Sequence, residues 1–171
     1  MKITYTPIGT IHSPFHDIQG MPIQPASETS APGSIDLLPE YAPGLKDLQE
    51  FSHIILIYHL HESRHYALLV TPFLDSKEHG VFATRAPRRP NSIGISIVPL
   101  LRIEDCTLYV DNLDILDGTP LLDIKPFVPT FDTPPVFRLG WLTEVNKQVK
   151  NTRSDRRFGG LPEKSSDTVE E

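Results

Sequence analysis

Three groups of residues in this chain could do chemistry. The first is Arg85-Ala-Pro-Arg-Arg-Pro-Asn91, which packs Arg85, Arg88 and Arg89 into five residues. A guanidinium keeps its charge and binds carboxylate or phosphate through two parallel hydrogen bonds. Pro87 and Pro90 fix φ and remove backbone donors, so a stiff loop is expected rather than a helix. The plainer reading is a solvated basic hairpin. The second group is Asp114 to Pro126, LDILDGTPLLDIKP with its leading leucine. Asp117-Gly118 is a turn dipeptide, and Thr119-Pro120 restarts an extended chain. Asp114 and Asp123 flank that turn. Such acids commonly cap a backbone donor or sit in water. Facing the arginine loop across the end of a sheet, they could instead hold a zwitterion such as an α-amino acid moiety. The third group is His53, His59 and His61 with Glu62 and His65 close by. His59 and His61 are two apart, which places both on one face of a strand. They could bind a transition metal, or one could be hydrogen-bonded in the wall while the others face solvent.

Other chemistry lacks its residues. There is no Gly-x-x-x-x-Gly-Lys stretch, no Gly-x-Gly-x-x-Gly after a strand and no Gly-x-Ser-x-Gly elbow. Cys106 lies in a predicted strand without an evident base. Group transfer by positioning, or ligand binding alone, is what remains.

The elements that must carry these groups read mainly as strands. Lys2 to Ile11 alternates and is rich in β-branched residues. His16 to Gly33 is a long loop. Ser34 to Leu38 is a short strand, and Gly44 to Phe51 one or two helical turns. Ser52 to His61, SHIILIYHLH, predicts a central strand, and Tyr66 to Phe73 another. Val81 to Thr84 and Ile93 to Val98 are predicted as the two strands flanking the arginine loop. Cys106 to Val110, Asp111 to Thr119 and Leu121 to Phe127 supply further strands. Trp141, Leu142, Val145 and Val149 stand at helical spacing, which predicts one helix over 141–150. Asn151 onward has no periodicity and is expected to be partly disordered, leaving a domain over 1–150 and a tail over 151–171. Many short strands with turn signals imply a mainly all-β barrel or sandwich with one short C-terminal helix.

Composition narrows the class. The chain has 171 residues, 39% hydrophobic and 22% charged, which suits one soluble domain. Seventeen prolines oppose long helices. One cysteine excludes an internal disulfide and fits a reducing compartment. No apolar run reaches membrane-spanning length and the N-terminus lacks a signal pattern, so a cytoplasmic protein without membrane contact is expected. The net charge is −6, half of it from four acids and one lysine in 161–171. A nucleic-acid site would therefore have to be local.

PIGTIHSP, FSHIILIYHLH, GVFATRAPRRPNSIG and LDILDGTPLLDIKPFVP occur in the order found in the TsaA/TrmO (YaeB-like, VirR-like) family, which the chain resembles from about Ile3 to Pro129. The resemblance implies a single-sheet β-barrel, S-adenosyl-L-methionine as cofactor, a homodimer and a tRNA partner. It implies methylation of N6 of N6-threonylcarbamoyladenosine beside the anticodon. Carried over position by position, it implies cofactor contacts at Gln24, Pro25 and Ala26, at His61 and Glu62, at Arg85, at the backbone near Ile95, and at Asp117, Gly118, Thr119 and Pro120. Arg88 and Arg89 are then left for RNA phosphates. Ser92 and Phe127 stand where the family usually has proline and often has tyrosine. The chain resembles the short form, without the C-terminal extension of bacterial members; either Ser154 to Phe158 replaces the tail that helps grip tRNA in longer members or that tail is missing. Methyl transfer to a carbamoylated nitrogen calls for a base; Asp117 and His61 have suitable chemistry, and the resemblance assigns neither. The same fold acting on a small molecule or another RNA, holding the cofactor without turnover, or binding metal through His59 and His61 are the competing readings.

Overall fold

The computed structural model describes residues 2–25, 31–135, 138–145, 148 and 150–159. Six strands close into one antiparallel barrel: β1 (Gly9–His12), β2 (Ala31–Leu37), β3 (His53–His59), β6 (Ile93–Glu104), β7 (Thr107–Leu113) and β8 (Thr119–Pro126). Their order around the barrel is β1-β2-β7-β6-β3-β8. Between β3 and β6 the chain leaves the barrel and forms a small two-stranded sheet, β4 (Leu69–Val70) with β5 (His79–Gly80). Two short helices follow the barrel, α1 (Pro129–Asp132) and α2 (Leu142–Val145).

Alternation closes the barrel around one core. On β3, Ile54, Leu56 and Tyr58 point inward, while His53, Ile55, Ile57 and His59 take the other face. Val98 and Leu100 of β6, Leu108 and Val110 of β7, Ile35 of β2, Ile11 of β1 and Leu121 of β8 complete the interior. β3 and β7 both run antiparallel to β6, so they point the same way. One rim of the barrel therefore gathers the C-terminal ends of β3 and β7 and the N-terminal ends of β6 and β8. The inward residues there turn polar: Tyr58, Ser96 and Thr119 are each buried. At the same rim the β3–β8 register slips between Ile57 and Tyr58. Such bulges bend a strand and re-aim side chains.

Several local expectations are corrected. Val81 to Ala83 is a 3-10 turn, not a strand, so the arginine loop is not the tip of a hairpin. Residues 2–8 form no strand, and Tyr66 to Phe73 contributes only Leu69–Val70. The helical turns near Gly44 are 3-10 turns at Pro39–Leu45 and Leu48–Glu50. The predicted helix over 141–150 is seen only as α2; Val149 lies outside the described residues.

Candidate active site

The polar rim opens into a cleft of about 890 Å³. Its floor is the barrel end: Tyr58, Gly94, Ile95, Asp114 and Thr119. One wall is the 60–92 excursion, with His61, Glu62, Phe82, Thr84, Arg85 and Arg89. The other is built from Ile18 to Gln24 and from Ser154, Asp155 and Phe158.

Each wall has a local cause. The 3-10 turn at Val81 is tied from several sides: Thr84 Oγ1 donates to Val81 O, and Arg89 Nη1 donates to Val81 O at 3.0 Å and Thr84 O at 2.9 Å. Val81 itself packs in a second small core with Val70 and Ala86. This explains why β-branched residues here do not make a strand. The Arg89 guanidinium also lies 5.8 Å from the Phe82 ring centroid. Trp141 Nε1 donates to Ala83 O and its ring stacks on His79 at 4.5 Å, bracing the turn. On the opposite wall the segment after Thr152 folds back. Arg153 bridges to Pro22, Ser154 N donates to Met21 O, and Arg156 Nη2 pairs with Asp17 at 2.7 Å. Arg157 ties Asp155 to the carbonyl of Pro72.

Six of the residues singled out from the sequence for the cofactor meet in this cleft: Gln24, His61, Glu62, Arg85, Ile95 and Thr119. Arg85 is exposed at the mouth, where its Nη1 donates to Gln24 Oε1 at 3.1 Å. Thr119 Oγ1 donates to Leu116 O, so the 3.3 Å contact with His61 has His61 Nδ1–H as donor and leaves the Nε2 lone pair free. Nε2 stands 4.0 Å from the Glu62 carboxylate. Pro25, Asp117, Gly118 and Pro120 do not line the cleft, and Ala26 lies outside the described residues. Asp117 works behind the site. Its carboxylate accepts from Ser13 N at 3.1 Å and faces His12 and His16, and the Ser13 N–H leads in holding it below the ordinary carboxylate range. Gly118 takes φ +75°, the left-handed conformation this turn requires. Arg88 does not line the cleft, whereas Arg89 does.

The histidine group separates. His53 and His59 face outward on β3, but the strand ends at His59 and His61 turns into the cleft. Among the described residues no three His, Cys, Asp or Glu side chains come together as a metal site.

Of the two flanking acids, Asp123 pairs with Lys125 at 2.7 Å and stays outside the cleft. Asp114 is inside it. Ser96 Oγ donates to Asp114 Oδ1 at 2.7 Å, and Tyr58 OH donates to Ser96 Oγ at 3.0 Å. Burial pushes the Asp114 carboxyl up to about 6, against the Ser96 hydrogen bond, the backbone donor and the Arg85 charge, which pull it down. Burial, reinforced by the Asp114 charge, also raises Tyr58, so its phenol stays protonated. The sequence named Asp114 as a flanking acid but gave no sign that Tyr58 and Ser96 would enclose it.

A methionine-bearing nucleoside suits this donor set. The cleft has the size of a cofactor site. Arg85 offers a fork for a carboxylate, Glu62 accepts from hydroxyl or ammonium groups, and Ile18, Met21, Phe73 and Leu116 supply apolar wall.

Residues 10–133 match the tRNA-methyltransferase O N-terminal domain. The chain belongs to the tRNA-methyltransferase O family. It is 50% identical over 161 residues to a probable S-adenosyl-L-methionine-binding protein of Pyrococcus abyssi, covering 94% of this chain and 88% of that protein. It is 35% identical to a mouse tRNA (adenine(37)-N6)-methyltransferase over 75% of this chain but 31% of the mouse protein. The crystal structure of TrmO from Pseudomonas aeruginosa superposes with TM-score 0.69 at 38% identity, over 82% of this chain and 63% of that one. The barrel is thus the TrmO N-terminal fold, and the chain spans less than two thirds of that solved TrmO. No helix among the described residues is long and apolar enough to cross a membrane.

Proposed function

We propose that this chain binds S-adenosylmethionine in the rim cleft and methylates N6 of N6-threonylcarbamoyladenosine at position 37 of tRNA; the mouse relative's name gives N6 of adenine 37 as its target. The observation that carries this reading is the cleft itself. It joins an exposed arginine, an accepting carboxylate and apolar walls to a half-buried carboxylate on the floor, raised by burial above the ordinary carboxylate range. Bound there, S-adenosylmethionine supplies a methyl group on a sulfonium, a leaving group that needs no metal activation. Arg85 holds the methionine carboxylate, positioned by Gln24. Glu62 and the backbone at Ile95 take the polar edges of the nucleoside. His61, fixed by Thr119, keeps Nε2 as an acceptor toward the cleft. The walls exclude water and align the acceptor nitrogen with the methyl carbon, which is the main catalytic demand of such a transfer.

Arg88 binds tRNA phosphate beside the mouth. Beyond Ile93 and Ile95, which line the cleft, the outward face of β6 exposes Ile97 and Leu101, which supports a homodimer. The cytoplasm, where tRNA is modified, is the compartment this function requires.

The test pairs calorimetry with transfer assays. S-adenosylmethionine should bind the parent and bind Arg85→Ala far more weakly. Labelled methyl should enter tRNA bearing the threonylcarbamoyl group and not the unmodified tRNA. Transfer to both tRNAs would overturn the substrate assignment. Bound cofactor with transfer to neither would favour a protein that holds S-adenosylmethionine without turnover.

A further inference from the structure

We propose that Asp114 is the general base that removes the N6 proton of the acceptor nucleoside, an assignment that rests on the methyltransfer reading above. A carbamoylated N6 is a poor nucleophile until its proton leaves. As the nitrogen–methyl bond forms, the sulfur–methyl bond breaks and the sulfur keeps its electron pair, giving a neutral thioether. The N6 proton passes to an oxygen of Asp114, so charge balances within the cleft.

The geometry singles out this carboxylate. Asp114 follows β7 on the cleft floor, and the Ser96 hydroxyl fixes its Oδ1. No side chain among the described residues donates to Oδ2. The other titratable groups facing the cleft are spent or unsuited. Tyr58 donates toward Ser96 and stays protonated. Asp155 is held by Arg157 at 2.7 Å, and Arg85 and Arg89 cannot accept a proton. Glu62 is half exposed at the mouth, and Asp117 lies behind the wall. His61 keeps one free nitrogen, and that nitrogen lies on the wall 4.0 Å from the Glu62 carboxylate, off the floor. Of these groups among the described residues, Asp114 combines burial with a place on the cleft floor, where its one side-chain donor reaches Oδ1. Its upward shift to about 6 suits a base that is ionised at neutral pH yet stronger than an ordinary aspartate.

The test measures single-turnover transfer to threonylcarbamoylated tRNA across pH, with cofactor affinity and the Asp114 carboxyl carbon-13 shift read separately. The parent rate should rise through an inflection near 6 that coincides with the NMR titration of Asp114. At saturating S-adenosylmethionine, with its affinity for the variant measured separately, Asp114→Asn should lose about 100-fold or more in rate and lose the inflection. Ser96→Ala removes the donor to Oδ1, so the NMR titration and the rate inflection should both move to higher pH. A parent-like rate and inflection in Asp114→Asn would overturn the assignment. So would a Ser96→Ala protein whose NMR titration moves while its rate inflection stays; this second arm decides if Asp114→Asn fails to bind cofactor. A parent that binds cofactor yet forms no product overturns the reading beneath, and the assignment with it.

Discussion

Gly94 lies flat against the Tyr58 ring: a Cβ built on it would stand 2.2 Å from Tyr58 Cε2 and 2.5 Å from Cζ. The two residues are register partners on β6 and β3, at the rim where the barrel opens into the cleft. The missing side chain lets the phenol reach Ser96, and Ser96 in turn holds Asp114. Gly94→Ala must displace a buried ring, which should cost about 1–3 kcal/mol. Urea unfolding should show that loss, and calorimetry should show weakened cofactor binding, since Gly94 and Tyr58 both line the site.

The pH dependence of stability should report Asp114. Its folded pKa is raised to about 6 from 3.8. Protonation is therefore favoured in the folded state. The stabilisation is fully present below the unfolded value and is lost as pH rises through the folded one. Between those limits the parent should lose about 1–3 kcal/mol from this group. Asp114→Asn cannot ionise, so its stability should fall less over the same window. Denaturant melts at a series of pH values measure the difference, and parallel curves would show that Asp114 titrates normally.

Arg88 and Arg89 are adjacent, but the fold uses them differently. Arg89 holds the carbonyls of Val81 and Thr84, so Arg89→Ala should destabilise the protein by about 2 kcal/mol and loosen the cofactor wall. Arg88→Ala should leave thermal stability and cofactor affinity near the parent values. It should weaken tRNA binding at all sequences and reduce the salt slope by about one. Filter binding across a salt series, together with thermal melts, separates the two roles.

The outward face of β6 gives a prediction about assembly. Ile97 is 41% exposed on the outer face and pairs across the ladder with Ile55. Ile97→Lys places a charge on that apolar face and should convert a dimer to a monomer in light scattering. An unchanged mass would place the dimer contact elsewhere.

The barrel was legible because its short apolar runs between turn signals do form strands. On β3 the alternation of Ile54, Leu56 and Tyr58 with outward residues appears only in the burial, because Ile55 and Ile57 are apolar too; the sequence showed that strand as one continuous apolar run. The Val81 turn was not legible for the opposite reason. Its β-branched and aromatic residues suit a strand, but Arg89, Thr84 and Trp141 hold them in a 3-10 turn. The basic loop and the rim acid came together as their chemistry suggested, yet through Asp114 rather than Asp117. An aspartate beside a turn looks solvated in one dimension. The residues that meet Asp114 on the floor, Ser96 and behind it Tyr58, stand on two strands 18 and 56 positions earlier in the chain. Likewise, 153–158 has no periodicity, and its packing depends on long-range ties such as Arg156 to Asp17.

The most direct measurement is mass spectrometry of tRNA nucleosides after incubation with the protein and isotope-labelled S-adenosylmethionine. The expected result is labelled methyl on N6-threonylcarbamoyladenosine, at N6, from tRNA that carries this modification. A nucleoside digest with no labelled methyl, from a protein shown by calorimetry to have bound the cofactor, would contradict it.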